Sequence, residues 1–170
     1  ISNCTNAGFY GSYNSPVYMG PLIRDNTVTG CLFGAYLANV VCEFRSNNIT
    51  DCPMAGIYSY LSDYHNYQCA ILNNTVTNCG FYEKSTSMTP AAISVTAESH
   101  CRALVSGNQL LNNSAVGILA DDNVQVDNNT IVGSGTGIDF NRFFGGFQDL
   151  TRNRISGGLT GIHISGVPRI

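Results

Sequence analysis

Three aspartates and a histidine in the second half of the chain have the side chains for proton transfer: Asp121, Asp122, Asp139 and His163. Two carboxylates on adjoining backbone segments can divide acid and base roles in glycosidic cleavage when roughly 5 to 10 Å separates them. The same pair could hold Ca2+ through hard oxygen ligands, or share one proton through mutual repulsion. A second set is aromatic. Tyr10, Tyr36, Tyr58, Tyr60 and Tyr64 offer flat apolar rings with a hydroxyl at the rim, a surface suited to sugar rings. Eight of the nine tyrosines precede residue 68, so the two sets occupy different parts of the chain. Each has a plainer reading. The acids could be a solvated polar edge, and the tyrosines a stack that covers a sheet or meets a sister chain.

Composition narrows the classes. Only 11% of residues are charged, the net charge is -3 and Lys84 is the single lysine. A nucleic-acid grip needs clustered Lys and Arg, so nucleic acid is not an expected partner. No apolar run approaches the ~18 residues of a membrane-spanning helix. The seven arginines form no evident outward column, no Cys-x-x-Cys occurs and the three histidines are scattered, so a zinc site is not expected. Gly-rich and Asn-rich turns between short apolar runs predict an all-β chain.

The elements that must position these residues repeat. An Asn two residues before an apolar residue recurs at Asn26, Asn47, Asn74, Asn108, Asn129 and Asn153, spaced 21, 27, 34, 21 and 24 residues apart. Three residues before each lies an apolar residue: Ile23, Phe44, Ile71, Val105, Val126 and Leu150. Five residues after each lies a small one: Cys31, Cys52, Cys79, Asn113, Ser134 and Gly158, with Cys4 in the same column. A Gly and an alternating strand follow, as in Gly34-Ala35, Gly56-Ile57, Gly117-Ile118 and Gly137-Ile138. Such periods fit a solenoid whose coils bury their inward faces only by stacking. The run from Val124 to Ile131 also matches a leucine-rich repeat, which would need a leucine-rich return segment. The Asn is read as the left-handed residue of a turn, and as one rung of a side-chain amide ladder.

Strand alternation assigns faces. Inward go Phe9, Ala35, Ile57, Ile93, Ile118, Ile138 and Ile162; outward go Tyr10, Tyr36, Tyr58, Ser94, Leu119, Asp139 and His163. The next outward column is Ser12, Ala38, Tyr60, Thr96, Asp121, Asn141 and Ser165. Adjacent coils then place Asp121 and Asp139 some 5 to 8 Å apart, with Asp122 beside them. Cys42 and Cys69 share a further column, and Cys101 falls near it but out of register. Seven cysteines are odd in number; mostly reduced, buried thiols are expected. The insertion Gly80–Pro90, with Glu83 and Lys84, makes the fourth coil the longest. Five Asn-x-Ser/Thr triplets follow from the Asn-rich turns themselves.

These repeats resemble the right-handed parallel β-helix of the pectate-lyase-like superfamily and phage tailspikes. The resemblance covers nearly the whole chain, as one β-helix domain over residues 1–170 in about seven coils. The start at Ile1 falls partway through a coil, which leads us to expect a portion of a longer solenoid. The resemblance implies a polysaccharide or other glycan as partner, an extracellular, virion-surface or cell-surface setting, and association as a homotrimer or with flanking coils. If the domain is an enzyme, the resemblance implies a polysaccharide lyase or glycoside hydrolase acting through Asp139, Asp121 and Asp122, without a cofactor unless Ca2+ takes part. Tyr10, Tyr36, Tyr58, Tyr60, Tyr64 and His163 would bind substrate. The Gly-His-Gly of polygalacturonases and the Tyr-Gly-x-Asp-Pro-His-Asp run of epimerases are absent. The alternative is a structural shaft or surface-fibre segment without catalysis.

Overall fold

Short strands that alternate inward apolar and outward residues set the architecture in the computed structural model, which describes residues 1–12, 20–62, 68–81, 88–98, 100–113, 115–142 and 149–166. Every coil passes through three parallel sheets. The first sheet holds Ala7–Ser12, Phe33–Ala38, Ala55–Leu61, Ala91–Ala97, Val116–Asp122, Thr136–Arg142 and Thr160–Gly166. The second holds Leu22–Arg24, Cys42–Arg45, Gln68–Leu72, Arg102–Ser106, Val124–Asp127 and Asp149–Thr151. The third holds Thr27–Thr29, Asn48–Thr50, Thr75–Thr77, Gln109–Leu111, Thr130–Val132 and Arg154–Ser156. Six coils contribute to all three sheets and a seventh strand adds to the first. Three parallel sheets, with no helix among the described residues, exclude the leucine-rich alternative.

The core is a column per inward position. Val28, Ile49, Val76, Leu110 and Ile131 line it from the third sheet, and Phe44, Ile71, Val105 and Val126 from the second, all at most 1% exposed. From the first sheet come Ala35, Ile57, Ile93, Ile118 and Ile138, all fully buried. Burial depends on a coil lying on each side. Ile138 is 0% exposed and Phe140 1%, yet their register partners in the last strand, Ile162 and Ile164, are 49% and 65% exposed.

The asparagine column runs along the corner between the second and third sheets. The Asn47 N–H donates to Asn74 Oδ1 at 2.9 Å, the Asn74 N–H to Asn108 Oδ1 at 2.9 Å, and the Asn108 N–H to Asn129 Oδ1 at 3.0 Å. From Asn47 to Asn153 each Nδ2 also donates to a main-chain carbonyl of the preceding coil, as Asn74 does to Phe44 O at 2.9 Å. The ladder thus satisfies backbone groups that the turn strips from the sheets. One expectation is corrected here. The left-handed residue is the one before the ladder Asn: Asp25, Ser46, Asn73, Gly107, Asn128 and Arg152 have φ between 53° and 69°. The ladder asparagines are held by hydrogen bonds and need no unusual φ.

Where the first-sheet strands begin, glycine is required by neighbours and not by φ. A Cβ on Gly34 would lie 2.4 Å from Gly56 O and 2.4 Å from Ile49 Cγ2; on Gly117 it would lie 2.5 Å from Gly137 O. The cysteines at Cys4, Cys31, Cys52 and Cys79 take a related role. Cys31 Sγ accepts the Cys4 N–H at 3.3 Å and Cys79 Sγ accepts the Cys52 N–H at 3.4 Å; one coil on, Asn113 Oδ1 accepts the Cys79 N–H. All seven cysteines are free thiols.

Candidate functional site

The first sheet is the longest-stranded and therefore presents the widest outward surface. Its register places Tyr10, Tyr36, Tyr58, Ser94, Leu119, Asp139 and His163 in one row. The neighbouring row is Ser12, Ala38, Tyr60, Thr96, Asp121, Asn141 and Ser165. These are the two columns that alternation assigns. Tyr64, Glu83 and Lys84 lie outside the described residues.

The aromatic half is a self-stack. Tyr10 and Tyr36 lie 5.4 Å apart at 6°, and Tyr36 and Tyr58 5.0 Å apart at 23°. Strand spacing enforces this, because successive coils repeat the same outward vector about 4.8 Å on. Ring faces are therefore turned to each other, and solvent meets edges and hydroxyls. Beneath the stack lies a small cluster of Phe33, Met54 and Ala55, separate from the main core and covered by Tyr36, Tyr58, Leu32 and Met88. Phe33 meets Tyr36 edge-on at 5.4 Å. Burial pushes the Tyr58 hydroxyl up to about 12. Tyr10 alone keeps an open aspect, at 66% exposure. Tyr60, in the second row, donates its hydroxyl to Glu98 at 2.9 Å, a partner that spacing did not suggest because Glu98 lies just past its strand.

The polar half is a set of cross-coil pairs. His163 Nδ1 lies 2.9 Å from Asp139 Oδ1, with side-chain exposures of 57% and 23%. That contact fixes the imidazole ring and leaves Nε2 facing outward from the pair. Ser165 donates to Asn141. Thr96 donates to Asp121 Oδ2 at 3.0 Å, while the buried Oδ1 of Asp121 has no hydrogen-bond partner. Burial raises the Asp121 carboxyl, opposed by hydrogen bonds from Thr96 and Asn141. Its register partner is Asn141, whereas that of Asp139 is Leu119, so the two acids stand diagonally across adjacent coils. Asp122 does not join them. It is 2% exposed with φ 58°, one residue out of phase with the outward face. Among the described residues no three His, Cys, Asp or Glu side chains converge as metal ligands.

A groove of about 990 Å³, with no counterpart in the repeat pattern, crosses the outward side of the second sheet. Ala70 and Leu104 form its floor, with Glu43, Gln68, Arg102 and Gln125 around it. Beside it the arginines show more order than their spacing suggested: Arg24 and Arg45 are register partners, each beside its own acid, Asp25 at 3.8 Å and Glu43 at 3.1 Å.

The family model described as right handed beta helix region matches residues 1–131 of the 170. No curated protein and no solved structure matches the chain.

Proposed function

The chain belongs to the right-handed β-helix family, and from that premise we propose that the outward face of its first sheet engages a polysaccharide. The observation that carries this is the pair of parallel rows along the rod, in which nearly every coil supplies a hydrogen-bonding group: Tyr10, Tyr36, Tyr58, Asp139 and His163 in one, Tyr60, Thr96, Asp121, Asn141 and Ser165 in the other. A polymer that repeats hydroxyls along its length matches a surface that repeats donors and acceptors along its own. The self-stacked rings enter through their edges and hydroxyls, and the free face of Tyr10 is the place for a stacked sugar. Such a domain belongs on the outside of a cell or virion, where polysaccharides are met. Exposed Leu159, Ile162 and Ile164 support association of the last coil with further coils or with sister chains in a homotrimer.

Proton transfer on this face would fall to Asp121, kept protonated to higher pH by burial, and to the Asp139–His163 pair as base. The test is affinity electrophoresis and reducing-end release on a panel of bacterial and plant polysaccharides. Binding that falls at least tenfold in Tyr10→Ala and His163→Ala protein supports the reading. Cleavage that also disappears in Asp121→Asn would make the domain a polysaccharide-cleaving enzyme, and binding without cleavage a recognition surface. A folded protein that retards in none of the gels refutes the reading.

A shaft without ligand is the second reading, favoured by one observation: Tyr36 already spends both faces on Tyr10 and Tyr58, Tyr58 spends one on Tyr36, and both rings meet Phe33. In that case the stack is a cover for the Phe33 cluster, and its loss would lower stability with nothing else changed.

A further inference from the structure

The polysaccharide reading makes no use of the thiols. Two of them differ from the rest. Cys42 and Cys69 are register partners on adjacent strands of the second sheet, in the second and third coils. Both point into the core, at 5% and 3% exposure, and their sulfurs are 3.5 Å apart. Paired parallel strands hold their Cα atoms about 4.8 Å apart, inside the roughly 4.4 to 6.8 Å that a disulfide spans. The groove lies on the other face of these strands, along Glu43, Gln68 and Ala70, so a small molecule meets the sulfurs only when the two strands part.

The other column of cysteines is occupied differently. Cys31 Sγ accepts the Cys4 N–H and donates to Thr29 O; Cys79 Sγ accepts the Cys52 N–H and donates to Thr77 O; Cys52 Sγ donates to Thr50 O. A bridge there would orphan buried backbone groups. Nor can the Cys42–Cys69 pair extend: the next register partners are Ala103 and Val124, and Cys101 lies outside the strand Arg102–Ser106.

We propose that Cys42 and Cys69 form a dithiol site that a low-molecular-weight disulfide, reaching the sulfurs when these strands open, converts into a bridge between the second and third coils. One cysteine thiolate attacks the incoming S–S bond, forming a mixed disulfide and expelling one small thiolate, which takes up the proton released. The second cysteine then displaces the remaining small thiol, closing the Sγ–Sγ bond. Two protein thiols are oxidised, the small disulfide is reduced to two thiols, and the two cysteine protons end on them. The bridge closes a ring across a sequence separation of 27 residues.

Incubation of the folded protein with excess glutathione disulfide, followed by thiol blocking and non-reducing peptide mapping, tests this. Expected are the loss of two hydrogens from the intact mass, one linked peptide pair containing Cys42 and Cys69, and a melting temperature about 5 to 10 °C higher. Cys69→Ser protein should lose the linked pair and the shift, while Cys52→Ser protein keeps both. The mapping of unsubstituted protein decides the matter even where a variant folds poorly. No bridge, a stalled mixed disulfide, or a bridge within the Cys4–Cys31–Cys52–Cys79 column with Cys42 and Cys69 left reduced would overturn the proposal.

Discussion

The corner between the second and third sheets and the outward face of the first sheet are both ladders, yet they tolerate opposite amounts of change. At the corner one residue type serves all six coils, from Asn26 to Asn153. On the outward face the type changes from Tyr to Ser to Leu to Asp to His. The difference lies in the partner. Each interior corner amide, from Asn47 to Asn129, must accept from the coil before it and donate to backbone behind it, with no water to substitute. Outward groups have solvent as an alternative partner, so each coil can vary and function can be written there.

The comparison breaks most severely at the corner. Asn108→Ala removes the acceptor for the Asn74 N–H and the donor to Ile71 O, both buried. At about 1–3 kcal/mol for each orphaned group, unfolding free energy from urea titration should fall by roughly 2–6 kcal/mol. A smaller loss, about 1–3 kcal/mol, is expected for Gly34→Ala, whose Cβ meets backbone of the next coil. Gly161→Ala at the same column position meets nothing within 4 Å and should leave the melting curve in place. Equal effects at the two glycines would show that strand conformation, and not the adjoining coil, selects the residue.

On the outward face the sign reverses at one position. Burial raises the Asp121 carboxyl, so its protonated form favours the folded state. Its contribution to stability is complete below the ordinary carboxylate value of 3.8 and is lost as pH rises through the raised value. Asp121→Asn should therefore stabilise at pH 7 by about 1 kcal/mol, and thermal melts should show that gain vanish as the solution is acidified. A loss of stability at pH 7 would mean that the ionised carboxylate is held by partners. The smallest stability effect, below roughly 1 kcal/mol, is expected for Tyr10→Ala, which ends the stack and is mostly exposed. The same substitution should be among the most damaging to polysaccharide retention in gels, which separates binding from folding.

Much of this was legible in the sequence. The ladder spacings of 21, 27, 34, 21 and 24 residues are those of the hydrogen bonds from Asn26 to Asn153. The two outward rows and the shared column of Cys42 and Cys69 also follow from alternation, because a parallel register repeats whatever one coil does. Less legible was anything that depends on a single residue's φ or on what lies behind a side chain. Asp122 reads as a neighbour of Asp121 but is buried by its left-handed turn. Tyr36 reads as a sugar platform but is face-on to its neighbours.

By itself, then, the sequence determined the solenoid, its coil boundaries, its core columns and the two rows of outward residues, since periodic burial leaves one register that hides every apolar position. Only the tertiary structure decided which outward groups are spent on each other: the stacked tyrosines, Asp139 with His163, Thr96 with Asp121. It also decided that two thiols 27 residues apart lie 3.5 Å from one another. Those contacts depend on distances between coils and on side-chain direction, and a repeat pattern specifies the column but not the separation of the atoms within it.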